Sequence, residues 1–200
     1  MIPTPYYERR LFARTLDDEA QFAAWTEHLP EREELTPYHC GPHSLRSMRT
    51  AYELCGEPKA VLEIGFCIGY SSSIWFGLGA KQVVSVDNSH REQTLSAGQL
   101  MHHRHGRNFT LLLTDTKHLI RESWGHEFDL MFIDGGHEFE DVSADIAFGL
   151  KIKVPYFLFD DWFPKWGPGV QPAVEHHKLI PLAIIGNMAL CVPETGWKNP

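Results

Sequence analysis

Three carboxylates and one imidazole stand where chemistry could be done. Asp134 closes the apolar run Phe128–Ile133 and is followed by Gly135-Gly136-His137, while Asp160-Asp161 close the run Tyr156–Phe159. Neighbouring strands lie about 4.8 Å apart, so acids ending two such strands can converge on one point. Carboxylates that close repel one another unless a cation sits between them or some are protonated. An all-oxygen donor set suits Mg²⁺ or Ca²⁺ better than zinc. His137, with a reference pKa of about 6.5, can take a proton beside them near neutral pH. A second group lies earlier in the chain. Gly65 and Gly69 bracket a loop after the apolar run Ala60–Ile64, and Tyr70, Ser71 and Ser72 open the helix that follows. Glycine there lets a ligand approach the backbone, and the free N–H groups of a helix start favour a carboxylate or phosphate. Asp87, 22 residues past Gly65, ends the next apolar run, where an acid in doubly wound folds binds ribose hydroxyls. The loop spacing is E-x-G-x-x-x-G from Glu63 to Gly69, not the G-x-G-x-x-G of dinucleotide sites.

These residues need a scaffold, and the rhythm of the chain supplies one. Residues 17–29 and 42–55 read as helices, the second opened by Pro42 and stopped by Gly56. Short apolar runs then recur at Ala60–Ile64, Gln82–Val86, Phe109–Leu113, Phe128–Ile133 and Tyr156–Phe159. Helix-length segments separate them near 70–79, 90–104, 116–123 and 138–150, with a last helix near 170–178. Strand and helix alternating in this way predict an α/β fold: a doubly wound, Rossmann-like, mostly parallel sheet of seven strands. Leu182–Ile185 and Met188–Val192 flank Gly186-Asn187, which predicts a terminal antiparallel hairpin. The expected organisation is an N-terminal helical cap over residues 1–57 and a ligand-binding domain over residues 58–200.

Glu63-Ile64-Gly65-x-x-x-Gly69-Tyr70-Ser71 resembles motif I of class I S-adenosylmethionine-dependent methyltransferases. Its Gly-Tyr-Ser ending is most similar to the catechol-type, metal-dependent O-methyltransferases. The resemblance covers roughly residues 58–193. It implies that Glu63, Gly65 and Ser71 surround the methionine part of the cofactor, that Gly69 belongs to the same binding loop, that Asp87 holds the ribose, and that Asp115 lies beside the adenine. It also implies a magnesium ion on Asp134, Asp160 and Asp161, with His137 at the position of a lysine base. Asp161 departs from the asparagine of that family, and His137 from its lysine. The Asp-Asp pair and the stretch FIDGGHEFEDVSADI also resemble the sugar O-methyltransferases of antibiotic biosynthesis. The implied reaction is methyl transfer to a hydroxyl of a small molecule, a sugar or a catechol-like ring.

Composition narrows the partners. The 200 residues carry 18 Lys+Arg against 26 Asp+Glu, a formal net charge of −8. Such a chain repels phosphate backbones, which speaks against nucleic acid. The longest apolar runs are too short to span a bilayer, and no secretory leader is visible. Four scattered cysteines without a CxxC suit reduced thiols in the cytoplasm. A homo-oligomer is compatible with all of this. Two other functions share the glycine loop and Asp87: a nucleotide-binding oxidoreductase, which the spacing disfavours, and a non-catalytic cofactor-binding module. The histidine groups His102-His103-x-His105 and His176-His177 read as solvated helix ends, and His39-Cys40-x-x-His43 with Cys55 as a weak zinc pattern. The aromatic loop Trp162–Gly169 reads equally as a substrate wall or as local packing.

Overall fold

The computed structural model describes residues 6–8, 16–29, 42–119 and 127–194. In chain order the strands are β1 (Tyr6–Glu8), β2 (Ala60–Ile64), β3 (Gln82–Asp87), β4 (Phe109–Leu113), β5 (Leu130–Ile133), β6 (Tyr156–Phe159), β7 (Leu179–Ile185) and β8 (Met188–Pro193). The helices are α1 (Leu16–Thr26), α2 (Pro42–Leu54), α3 (Tyr70–Leu78), α4 (Glu92–His105), α5 (Thr116–Leu119), α6 (Phe139–Lys151) and α7 (Val170–His176). His39, Cys40 and the far end of the helix expected over 116–123 lie outside the described residues.

The period of two in the strands divides the core into two layers. Val61, Val83, Leu130, Phe132 and Leu158 face a cluster shared with α2, α3 and α4. Their neighbours Leu62, Ile64, Val84, Val86, Met131, Ile133, Phe157 and Phe159 face a second cluster with α5, α6 and α7. A strand covered on both faces must be apolar throughout, which is why β5 and β6 read as uninterrupted hydrophobic runs. The sheet order is β1-β7-β8-β6-β5-β2-β3-β4. Strands β2 to β6 run parallel to one another, and β8 is antiparallel to both β6 and β7. The expected seven-stranded, Rossmann-like sheet with its terminal hairpin is therefore present. One strand is added: β1 pairs in parallel with β7, Tyr6 opposite Ala183.

Element ends differ from the sequence expectation for local reasons. Strand β5 starts at Leu130 because Asp129 folds back, its Oδ2 accepting the N–H groups of Lys59 (2.7 Å) and Ala60 (2.9 Å). Strand β7 starts at Leu179, three residues early, and carries Pro181. Pro181 lies outside the residues that β1 pairs, and a register shift against β8 between Pro181 and Ala183 accommodates the missing N–H. His105 is not a solvated helix end. Its ring stacks on Phe76 at 3.7 Å, and burial, with Arg104 and His28 nearby, lowers its pKa to about 4. Among the described residues no helix is long and apolar enough to cross a membrane.

Candidate active site

The parallel strands direct their carboxyl ends to one edge, where a cavity of about 440 Å³ opens. It is lined by the β2–α3 loop (Gly65, Phe66, Cys67, Tyr70, Ser71), by Asp87 and Asn88 after β3, and by Asp115 after β4. Asp134 and His137 after β5, with Asp160 and Asp161 after β6, close the opposite side. Eight of the ten expected site residues thus meet in one place. Glu63 and Gly69 are the exceptions, since neither lines the cavity.

Two glycines shape the loop. Gly65 has φ 94°, and a Cβ there would collide with the carbonyl oxygen of Asp134. The backbones of β2 and β5 therefore close together only over a bare α-carbon. Gly69 has φ 83° as the cap of α3, and a Cβ would sit 2.8 Å from the ring of Phe66. Asp87 then clamps what the glycines allow. Its Oδ2 accepts the N–H of Phe66 (2.9 Å) and of Cys67 (2.7 Å), and its Oδ1 that of Ser89 (2.7 Å). Oδ1, with one bond, keeps a second lone pair, so the carboxylate can hold the loop and still accept from a ligand hydroxyl.

Glu63 lies under the loop rather than in the cavity. It is fully buried, and the hydroxyls of Ser71, Ser72 and Ser85 donate to its carboxylate, Ser85 at 2.6 Å. Burial outweighs these bonds and raises its pKa to about 7. It ties α3 to β2 and β3 from beneath. At the acidic side, Asp134 is pushed well above the ordinary carboxylate range by burial, then by Asp160, Asp161 and Glu63. Burial and the adjacent Asp161 raise Asp160 to about 6. Asp161 lies in the left-handed region at φ 50°. Oδ1 accepts from the Asn187 amide at 2.6 Å, and Oδ2 lies 3.2 Å from His137 Nε2, outside hydrogen-bond geometry. Among the described residues no three Asp, Glu, His or Cys side chains already stand in a metal-holding arrangement.

The sequence reading missed the far wall. Thr116 Oγ1 donates to Asp145 Oδ1 at 2.6 Å, and Lys117 Nζ pairs with Asp141 at 2.7 Å; all four residues line the cavity. Asp145 is 4% exposed, and burial raises its pKa to about 7. A signal existed: Asp141 and Asp145 stand four apart on α6, flanked by the buried Val142 and Ile146, so an acid occupies the core-facing stripe. Asn187 was read as a turn residue, and nothing in the sequence marks its bond to Asp161.

The strand order, the motif I loop and the acid after β3 together define a class I S-adenosylmethionine-dependent methyltransferase. Residues 62–161 match the family model described as a methyltransferase domain, and the chain belongs to that family. It is similar to an uncharacterized protein, R132, of Acanthamoeba polyphaga mimivirus, at 25% identity over 179 residues, covering 80% of this chain and 77% of that one. Its fold is similar to that of the S-adenosylhomocysteine-bound methyltransferase PaMTH1 of Podospora anserina (TM-score 0.61, 17% identity, 92% of this chain and 89% of that one). It is also similar to that of the O-methyltransferase TomG of Streptomyces achromogenes, solved with S-adenosylmethionine (TM-score 0.64, 15% identity, 92% of each chain).

Proposed function

We propose that this methyltransferase acts on a hydroxyl of a small molecule, a sugar or a catechol-like ring, with the help of a divalent cation. The observation that carries the reading is the acidic mouth. Asp134, Asp160, Asp161 and His137 line the same cavity as the cofactor loop, on the opposite wall. That the similar TomG is an O-methyltransferase supports it. When bound, S-adenosylmethionine supplies the methyl group from its sulfonium. Gly65, Ser71 and the loop amides would hold its methionine part, Asp87 its ribose hydroxyls and Asp115 the adenine end. Glu63 and Gly69 serve from beneath, by fixing α3 and the loop.

The donor set fits a hard cation: all oxygen, largely buried, and mutually repelling. Asp134 and Asp160 would hold it, joined by Asp161 on release from His137. The cation would act as a Lewis acid that lowers the pKa of the acceptor hydroxyl. His137 would accept the hydroxyl proton at Nε2, which is buried without a hydrogen bond. The cavity walls align acceptor and methyl donor for an in-line displacement. We assign cofactor binding to residues 58–200, capped by residues 1–57. Half-buried Cys55 and Cys67 and buried Cys191 carry thiols rather than disulfides, which supports a reducing compartment such as the cytoplasm.

The test is transfer of a labelled methyl group from S-adenosylmethionine to a catechol and to a set of monosaccharides. Each is assayed with EDTA and again after Mg²⁺ is restored. Transfer abolished by EDTA and recovered with Mg²⁺ is expected. Full activity in excess chelator would remove the metal from the reading, and transfer to neither class would remove the hydroxyl acceptor.

A further inference from the structure

Tyr70 lines the cavity at the first turn of α3, yet its ring is braced from the amino-terminal helix. Phe22 of α1 lies flat against it, with centroids 5.4 Å apart and planes 6° from parallel. One helical face beyond, Trp25 occupies the space over Gly77, where a Cβ would strike the indole. Phe22 and Trp25 are three apart on α1, and Tyr70 and Gly77 seven apart on α3, so two facing stripes meet at two points. The rest of α1 is fastened too. Asp18 pairs with Arg46 (3.2 Å) and Arg49 (3.3 Å) of α2. Just past the end of α1, His28 Nε2 reaches Met101 Sδ at 3.3 Å, the same sulfur that Ser73 Oγ of α3 contacts at 3.3 Å.

We infer that Phe22 is a positioning residue for the cofactor, acting through Tyr70, so that seating of α1 and occupation of the cavity are coupled. This rests on the cofactor reading of the cavity. Phe22 itself does not line it. Its ring restricts the neighbouring phenol to one orientation, which the ligand then need not impose. By linkage, whatever the docked helix contributes to binding, bound cofactor returns to the docking of the helix.

The test measures S-adenosylhomocysteine binding by calorimetry to the full chain and to Phe22→Leu, Phe22→Tyr, Tyr70→Ala and the Phe22→Leu/Tyr70→Ala double variant. Phe22→Leu keeps apolar bulk but loses the stack, and dissociation constants should rise between about twofold and tenfold. Phe22→Tyr should restore the parent value. In the double variant the Phe22→Leu effect should vanish against the Tyr70→Ala background. In turnover, Phe22→Leu should raise KM for S-adenosylmethionine while kcat holds, and amide exchange in α1 should slow on ligand addition in the parent and in Phe22→Tyr but not in Phe22→Leu. Equal affinity for Phe22→Leu and parent, or additive losses in the double variant, would overturn the inference. Failure of the parent chain to bind the ligand at all would instead overturn the cofactor reading on which it stands.

Discussion

Asp87→Ala removes three acceptor bonds at once, to the N–H groups of Phe66, Cys67 and Ser89. A hydrogen bond to a charged group is worth about 1.5–3 kcal/mol net. Three of them would total on the order of 4–9 kcal/mol if the amides were left dry. Phe66 and Cys67 line the cavity, so water can reach their freed amides, and a net loss of about 2–3 kcal/mol is the reasoned value. Asp87→Asn separates the parts. An amide has one acceptor oxygen, so it can serve the Phe66/Cys67 pair or Ser89 but not both, and loses about 1 kcal/mol. The assay is urea unfolding of each variant, with and without S-adenosylhomocysteine. Ligand at a hundred times its dissociation constant should add roughly 2.7 kcal/mol to the parent, little to Asp87→Ala, and an intermediate amount to Asp87→Asn. An Asp87→Ala protein with parental stability and an undiminished ligand increment would refute both the clamp and the ribose contact.

Gly65→Ala forces a Cβ against the Asp134 carbonyl at φ 94°, and should either abolish soluble folded protein or cost more than about 3 kcal/mol by urea unfolding. Asp145, held near 7 when folded and about 3.9 when unfolded, contributes stability below pH 4 that is lost as pH rises towards 7. Asp145→Asn should keep the Thr116 bond, flatten that pH dependence and stabilise the protein at pH 8 by up to about 4 kcal/mol, read by melting across pH. Glu63, also near 7, gives a slope of the same sign that persists in this variant. His137→Ala should lower turnover by roughly a hundredfold while leaving S-adenosylhomocysteine affinity unchanged, checked by steady-state kinetics beside calorimetry.

What was legible followed from periodicity and strand ends. A run such as Leu130-Met131-Phe132-Ile133 has to lie between two helix layers, and the acid after it has to emerge at the carboxyl edge. That reasoning brought Asp134, Asp160, Asp161 and Asp87 to one cavity without knowledge of any contact. It failed where a side chain can turn either way. Glu63 stands on the strand face that meets α3 rather than at the strand's end, so the alternation that buries Val61 also buries it. Strand β1 is three residues long and pairs only with a strand far along the chain, which no local pattern signals. Asp145 was lost inside an otherwise ordinary amphipathic helix. Asn187 was assigned to its turn for its backbone, while its amide holds Asp161.

The place of β8 has a bearing on the order in which the protein assembles. It enters the sheet between β6 and β7, although every other strand precedes it in the chain. The turn that leads into it supplies two fastenings of the acidic mouth: the Asn187 amide on Asp161, and the Asn187 carbonyl that accepts the N–H of Trp162. While a ribosome is still emitting the segment before β8, β6 therefore has an open edge and Asp161 has no anchor. The half of the sheet that bears the glycine loop, β2 to β4, has all its strand partners by then, since its pairing runs only as far along the chain as β5. Synthesis from the amino end thus builds the nucleotide side first and the acidic side last. The exposed β6 edge in that interval is a pairing template for any passing strand, and β8 is the element that removes it.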